Sequence, residues 1–180
     1  MGEVRARRPV KYMASLLTGD PTLLPEVKTV LVEELGALDF VSPALPFNDT
    51  TYYEDEFGPN LQREIITFKE LRDMADLGAV KVLTNELEQR WAVAGSRKVN
   101  IDPGYIALGK FVLATTKDQS HRLYIGKGIF AEVTLRYRKK SFAVWEWTYP
   151  DYATPQYIAL FNQLRQAYRM QLKVEGHQGY

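Results

Sequence analysis

Residues 104–111, GYIALGKF, place a glycine, four residues, then Gly109 and Lys110, which is the spacing of a phosphate-binding loop. Such a loop curls backbone N–H groups around phosphates, so it needs small inner residues and a hydroxyl after the lysine to hold Mg²⁺. Here the inner residues are Tyr105, Ile106, Ala107 and Leu108, and Phe111 stands where the hydroxyl belongs. The spacing is kept and the chemistry is lost. Asp102-Pro103 reads instead as the N-cap and first residue of a helix whose Leu108, Phe111 and Val112 face the core.

A denser polar run follows: Thr115, Thr116, Lys117, Asp118, Ser120, His121 and Arg122 stand between two apolar stretches. Along the next β-rich stretch Glu132, Thr134, Arg136 and Arg138 share one face by two-residue alternation. If that face abuts the loop, one pocket joins a carboxylate, an imidazole and several cations. Arginine gives bidentate contacts to phosphate or carboxylate, and histidine carries protons near neutral pH. The candidate catalytic residues are therefore His121, Glu132 and Asp102, and the candidate ligand-binding residues Thr116, Lys117, Asp118, Arg122, Arg136 and Arg138. The alternative is a set of cross-strand ion pairs on a wet sheet, and for Asp102 a capping role. Trp145, Trp147, Tyr149 and Tyr152 beside RYRKK (136–140) suit either base stacking on single-stranded RNA or one packed sheet face.

Several chemistries are excluded by counting. No cysteine means no disulfide, thiolate metal site or cysteine nucleophile, and suits a reducing cytoplasm. The two histidines, His121 and His177, are too few for a histidine-rich zinc site or a two-histidine phosphoesterase, and no GxSxG elbow accompanies His121. No metal site is expected, and no cofactor is identified. The basic start MGEVRARRPVKYM lacks the apolar run of a signal peptide, and no stretch is long enough to span a membrane.

The net charge of +1 hides a segregation: residues 20–90 hold 15 acids against 6 bases, residues 97–140 hold 10 bases against 3 acids. Such a pattern attracts an anionic partner to one face, or is neutralised by folding.

The elements that must position these groups follow from periodicity. PVKYMASLLT (9–18) reads as a buried strand; Asp20-Pro21 opens a helix with Leu24, Val27, Leu31 and Leu35 on one face, closed by Gly36. Residues 37–47, broken by Pro43 and Pro46, suit an edge, and NDTTYYEDEFGP (48–59) an acidic turn. LQREIITF (61–68) is a strand, Asp73 opens a helix with Leu77, Val80, Thr84, Leu87 and Trp91 on one face, and RKVNID (97–102) is another strand. HRLYI, IFAEVTLRY and SFAVWEW are three runs joined by Gly126-Lys127-Gly128 and Lys139-Lys140, as in antiparallel hairpins. Thr154-Pro155 opens a last helix with a stripe of Ile158, Phe161, Leu164, Tyr168 and Leu172. The predicted fold is α+β: one domain over 1–180 with frayed ends (1–8, 174–180), a βαββαβ-like (ferredoxin-like) half, a C-terminal antiparallel β-meander and a C-terminal helix, with helices mainly on one face.

NIDPGY, LATTKDQSHRLYIGKGIFAEVTLRY and WTYPDYATPQY resemble a bacterial family of unknown function, numbered 4416, and the similarity runs from PVKYMASLL to the last helix. The resemblance implies a bacterial protein and the label "GTP-binding protein" that some members carry. The residues argue against that label, since neither a DxxG switch nor an NKxD guanine-reading motif accompanies the altered loop. The functional expectation is a soluble cytoplasmic protein that binds or acts on a small anionic ligand through a basic polar pocket. Two alternatives stay open: an RNA-binding module, and a protein-interaction module whose acidic 48–58 segment meets another chain or a second copy.

Overall fold

The computed structural model of the chain describes residues 7–47 and 61–177, together with residue 2. The acidic segment expected at 48–59 therefore lies outside the described residues, as do most of the expected frayed ends. Strand β1 (Val10–Thr18) is buried along its whole length. It is central in the sheet, with β4 (Gln62–Arg72) paired to one edge and β5 (Val99–Ile106) to the other, both antiparallel, and a core on each face. Helix α1 (Leu24–Leu35) follows a single 3₁₀ turn in which Asp20 accepts from the Thr22 N–H at 3.1 Å, and it stops at Gly36, where φ is +91°. The chain then makes edge strands β2 (Leu38–Val41) and β3 (Leu45–Pro46), both on β4, so that β4 inserts between the two strands that α1 connects. Helix α2 (Leu77–Glu88), begun by an Asp73 cap on Ala75 N at 2.9 Å, leads into β5.

The rest of the sheet is β6 (Lys110–Thr115), β7 (Arg122–Gly126), β8 (Ile129–Arg138) and β9 (Ser141–Val144), giving the order β2-β4-β1-β5-β6-β8-β7 with β9 also on β8. Helix α3 (Pro155–Val174), capped by Thr154 and Pro155, ends the fold. The protein is thus α+β, a nine-stranded antiparallel sheet with three helices among the described residues.

The helices do not share one face. Leu24, Val27, Leu31 and Leu35 of α1 and Leu77, Val80 and Leu87 of α2 form one core with Val10, Tyr12, Ala14 and Leu16. Tyr157, Phe161, Leu164, Tyr168 and Leu172 of α3 form a second core with Met13, Ile65, Ile106, Phe111 and Leu135. The strands carry large apolar residues at both parities, so both faces must be covered.

The expected helix starting at Pro103 is also corrected. Asp102 and Pro103 lie inside β5, opposite Ser15 and Ala14, and GYIALGKF is the β5–β6 hairpin. Gly104 is needed for strand contact and not for phosphate: a Cβ there would lie 2.3 Å from the Val112 carbonyl oxygen.

Strand β8 has a gap along one edge. β7 pairs with it as far as Glu132, and β9 begins only at Leu135. The turn after β9 fills the gap: Trp147 Nε1 donates to Val133 O at 3.1 Å, and Thr148 Oγ1 to Thr134 O at 2.7 Å. Strand β9 ends at Val144, so neither Trp145 nor Trp147 sits in the strand expected for them.

Candidate functional site

At the centre is Glu132, whose side chain is 2 % exposed. Its Oε2 accepts from Arg122 Nε at 2.9 Å and faces His121 Nε2 at 3.0 Å, while Thr134 Oγ1 reaches Oε1 at 3.3 Å. Against a carboxylate, which only accepts, Nε2 of His121 is the donor. Arg122 is consumed by the fold: its NH1 donates to Lys117 O at 3.0 Å and its NH2 to the Tyr149 hydroxyl at 2.9 Å. Burial raises the Tyr149 pKa, Glu132 adds to the rise, and Arg122 opposes it.

His121 stacks on Trp147 (centroids 5.0 Å, planes 14° apart), Trp147 on Trp145 (4.9 Å, 10°), and the Arg136 guanidinium lies 4.0 Å from the Trp145 ring centre. With Trp147 seated in the β8 gap, these four side chains make a continuous belt from β7 to β9. At its far end Arg136 Nε and Trp145 Nε1 are buried without a hydrogen-bond partner. Buried donors without partners are rare, and each costs roughly 1–3 kcal/mol.

The belt thus brings His121, Glu132 and Arg122 into contact and joins Arg136 to them through two tryptophans. Arg138 is exposed at the end of β8, and Thr116, Lys117 and Asp118 lie on the exposed loop leading to His121. Lys117 contributes its backbone: its carbonyl holds Arg122 and its N–H donates to Thr115 Oγ1 at 3.2 Å. Asp102 belongs to another group. Lys81 Nζ donates to its Oδ1 at 2.9 Å and Asn100 Nδ2 to its Oδ2 at 2.7 Å. Burial would raise the Asp102 pKa, but the Lys81 charge, with hydrogen bonds from Lys81 and Asn100, holds it below the usual carboxylate range. Beside it, buried Glu88 accepts from Ile101 N at 2.7 Å and Arg97 NH1 at 2.8 Å. Its pKa is raised by burial, against the pull of Lys81 and these two bonds.

Sequence reasoning missed the pairing of His121 with Trp147, because it depends on the gap in β8. It also missed Lys81 and Glu88, although both interrupt the apolar face of α2 at helical spacing. A third buried pair, Arg63 with Asp151, holds the approach to α3, with Arg63 over the rings of Phe47 and Tyr152 at 4.6 and 5.0 Å. A shallow cavity of about 330 Å³ between β1, β2 and α3, lined by Lys11, Asp39, Lys69, Ala167, Gln171 and Glu175, contains none of the expected site residues. Among the described residues no helix is long and apolar enough to cross a membrane.

A family model described as a domain of unknown function, DUF4416, matches residues 8–168. No curated protein matches the chain, and no solved structure does.

Proposed function

The chain belongs to the DUF4416 family, and we propose that it binds a small phosphate- or carboxylate-bearing ligand at the belt formed by His121, Trp147, Trp145 and Arg136. One observation carries this reading: Arg136 and Trp145 meet with a buried donor left over on each, and no acid pairs with Arg136 among the described residues. An anion seated there supplies the missing acceptors, and a guanidinium already held over an indole loses little freedom in binding it. His121, oriented by Glu132, is the group that exchanges a proton with such a ligand. Glu132 and Arg122 act as positioning residues, since their own bonding is complete within the fold.

Base stacking by the tryptophans is a weaker reading. Trp147 lies between His121 and Trp145, and Trp145 between Trp147 and Arg136, so neither indole offers a free face.

A thermal-shift screen of phosphate- and carboxylate-bearing metabolites tests the proposal. At least one should raise the melting temperature of the wild type and have no effect on Arg136→Ala. A screen in which no anion shifts the wild type, or in which Arg136→Ala responds equally, contradicts it.

A further inference from the structure

The end of the sheet where β5 turns into β6 and β8 into β9 gathers positive charge from three elements. The two turns are neighbours, since Tyr137 N donates to Gly109 O at 2.9 Å. Lys110 pairs across the sheet with Arg136, and Arg138, Lys139 and Lys140 continue the chain to the turn tip, all three exposed. Arg165 reaches in from α3: its Nε donates to Leu108 O at 2.7 Å and its guanidinium lies 3.3 Å from the centre of the Tyr137 ring. None of these side chains is ion-paired among the described residues, whereas Lys11, Lys28, Arg63, Lys81, Arg97 and Arg122 each hold a carboxylate. Glu146, the first acid after the turn in sequence, pairs with none of them among the described residues.

Two features separate this end from an ordinary solvated face. Lys139 and Lys140 both have positive φ, +51° and +67°, a two-residue turn that asparagine and glycine make with less strain. Two guanidiniums are also fixed in place, Arg136 on Trp145 and Arg165 on Tyr137. Arg136 and Tyr137 are consecutive in β8, so these guanidiniums lie on opposite faces of the sheet, with the lysine turn between them. One small anion cannot touch both faces, but a chain of regularly spaced anions can pass over the edge and meet each in turn.

We infer that this basic end is a docking surface for the sugar-phosphate backbone of a nucleic acid, bound without regard to base sequence. Stacked, pre-oriented guanidiniums match phosphate oxygens in pairs, and the occupied indoles leave no surface for reading bases. The inference goes beyond the small-ligand reading and overlaps it only at Arg136.

The test is fluorescence anisotropy with a labelled RNA strand and a DNA duplex of about 20 nucleotides at about 50 mM salt, where phosphate contacts are strongest. The wild type should bind strands of different sequence alike, and its affinity should fall linearly on a log–log plot against salt, by about 0.7 to 0.9 per phosphate contacted. The combined variant Arg138→Glu, Lys139→Glu, Lys140→Glu, which leaves the belt intact, should weaken binding at least about ten-fold and flatten that slope. Lys127→Glu, in the turn at the other end of β8, should change it little. No binding at low salt, an equal per-charge loss in Lys127→Glu, or binding to phosphatidylserine vesicles in place of nucleic acid would each overturn the inference. A metabolite shift that survives in the triple variant leaves the belt reading standing whichever way this test falls.

Discussion

His121 and Glu132, eleven residues apart, meet at 3.0 Å because β7 and β8 pair in a register that sets Arg122 opposite Glu132. That register fixes what each residue can do. Glu132 is shielded and bonded to Arg122, while His121 leans outward onto Trp147.

Glu132 therefore belongs to the stability of the fold. Glu132→Ala leaves Arg122 as a buried unpaired charge and should cost about 3 kcal/mol or more in urea unfolding. Arg136→Ala removes one cation–π contact and one buried unmet donor, Arg136 Nε, so its cost should stay below about 1 kcal/mol. Equal losses would mean that Arg136 is as structural as Glu132.

Trp147 serves the sheet through its nitrogen and the belt through its ring. Trp147→Phe keeps a stacking ring but leaves Val133 O without its donor, for a cost of about 1 kcal/mol. Trp147→Leu, losing both, should cost clearly more. If the two variants are equally stable, the stack contributes nothing.

The hairpin at 104–111 predicts opposite outcomes for its two most loop-like residues. Gly104→Ala drives a methyl group into the Val112 carbonyl and should cost at least about 2 kcal/mol. Lys110→Ala should leave stability within about 0.5 kcal/mol. Calorimetry should show no Mg²⁺-dependent GTP binding; a saturable micromolar signal abolished by Lys110→Ala would refute the hairpin reading of this segment.

The two carboxylates around Lys81 should give opposite pH signatures. Asp102 has a lowered folded pKa, so its stabilisation is present above the unfolded value and is lost as pH falls through the folded one. The stability advantage of wild type over Asp102→Asn should shrink below the usual carboxylate range. Glu88 has a raised folded pKa, so the folded state takes up its proton first and gains stability as pH falls between the folded and unfolded values. The difference between wild type and Glu88→Gln should move in wild type's favour on acidification. Parallel urea titrations from neutral pH downward decide the signs.

What the sequence made legible was periodic. The stripe Leu24, Val27, Leu31, Leu35 and the stripe Phe161, Leu164, Tyr168, Leu172 mark buried helix faces because only a 3.6-residue repeat puts them together. Pro103 misled because proline is common at a helix start, whereas here it sits in β5 opposite Ala14 of β1, one residue before the pairing with β6 begins at Gly104. His121 with Glu132 was legible as a loop beside an alternating strand. The belt was not, since Trp145 and Trp147 read as strand residues. They become a plug only once β7 and β9 leave Val133 and Thr134 uncovered, and that is decided by register between distant segments.

The belt proposal is tested most directly at the indole nitrogens. The chain has three tryptophans, so an ¹⁵N-labelled sample gives three indole N–H signals, assignable by substitution. Trp147 already donates to Val133 O, whereas Trp145 Nε1 has no acceptor. Titration with inorganic phosphate, then with phosphate- and carboxylate-bearing metabolites, should shift the Trp145 signal saturably, with the Trp147 signal moving less and the response lost in Arg136→Ala. If no anion moves the Trp145 signal at millimolar concentration, or if it moves unchanged without Arg136, the belt is a structural plug and the proposed site does not exist.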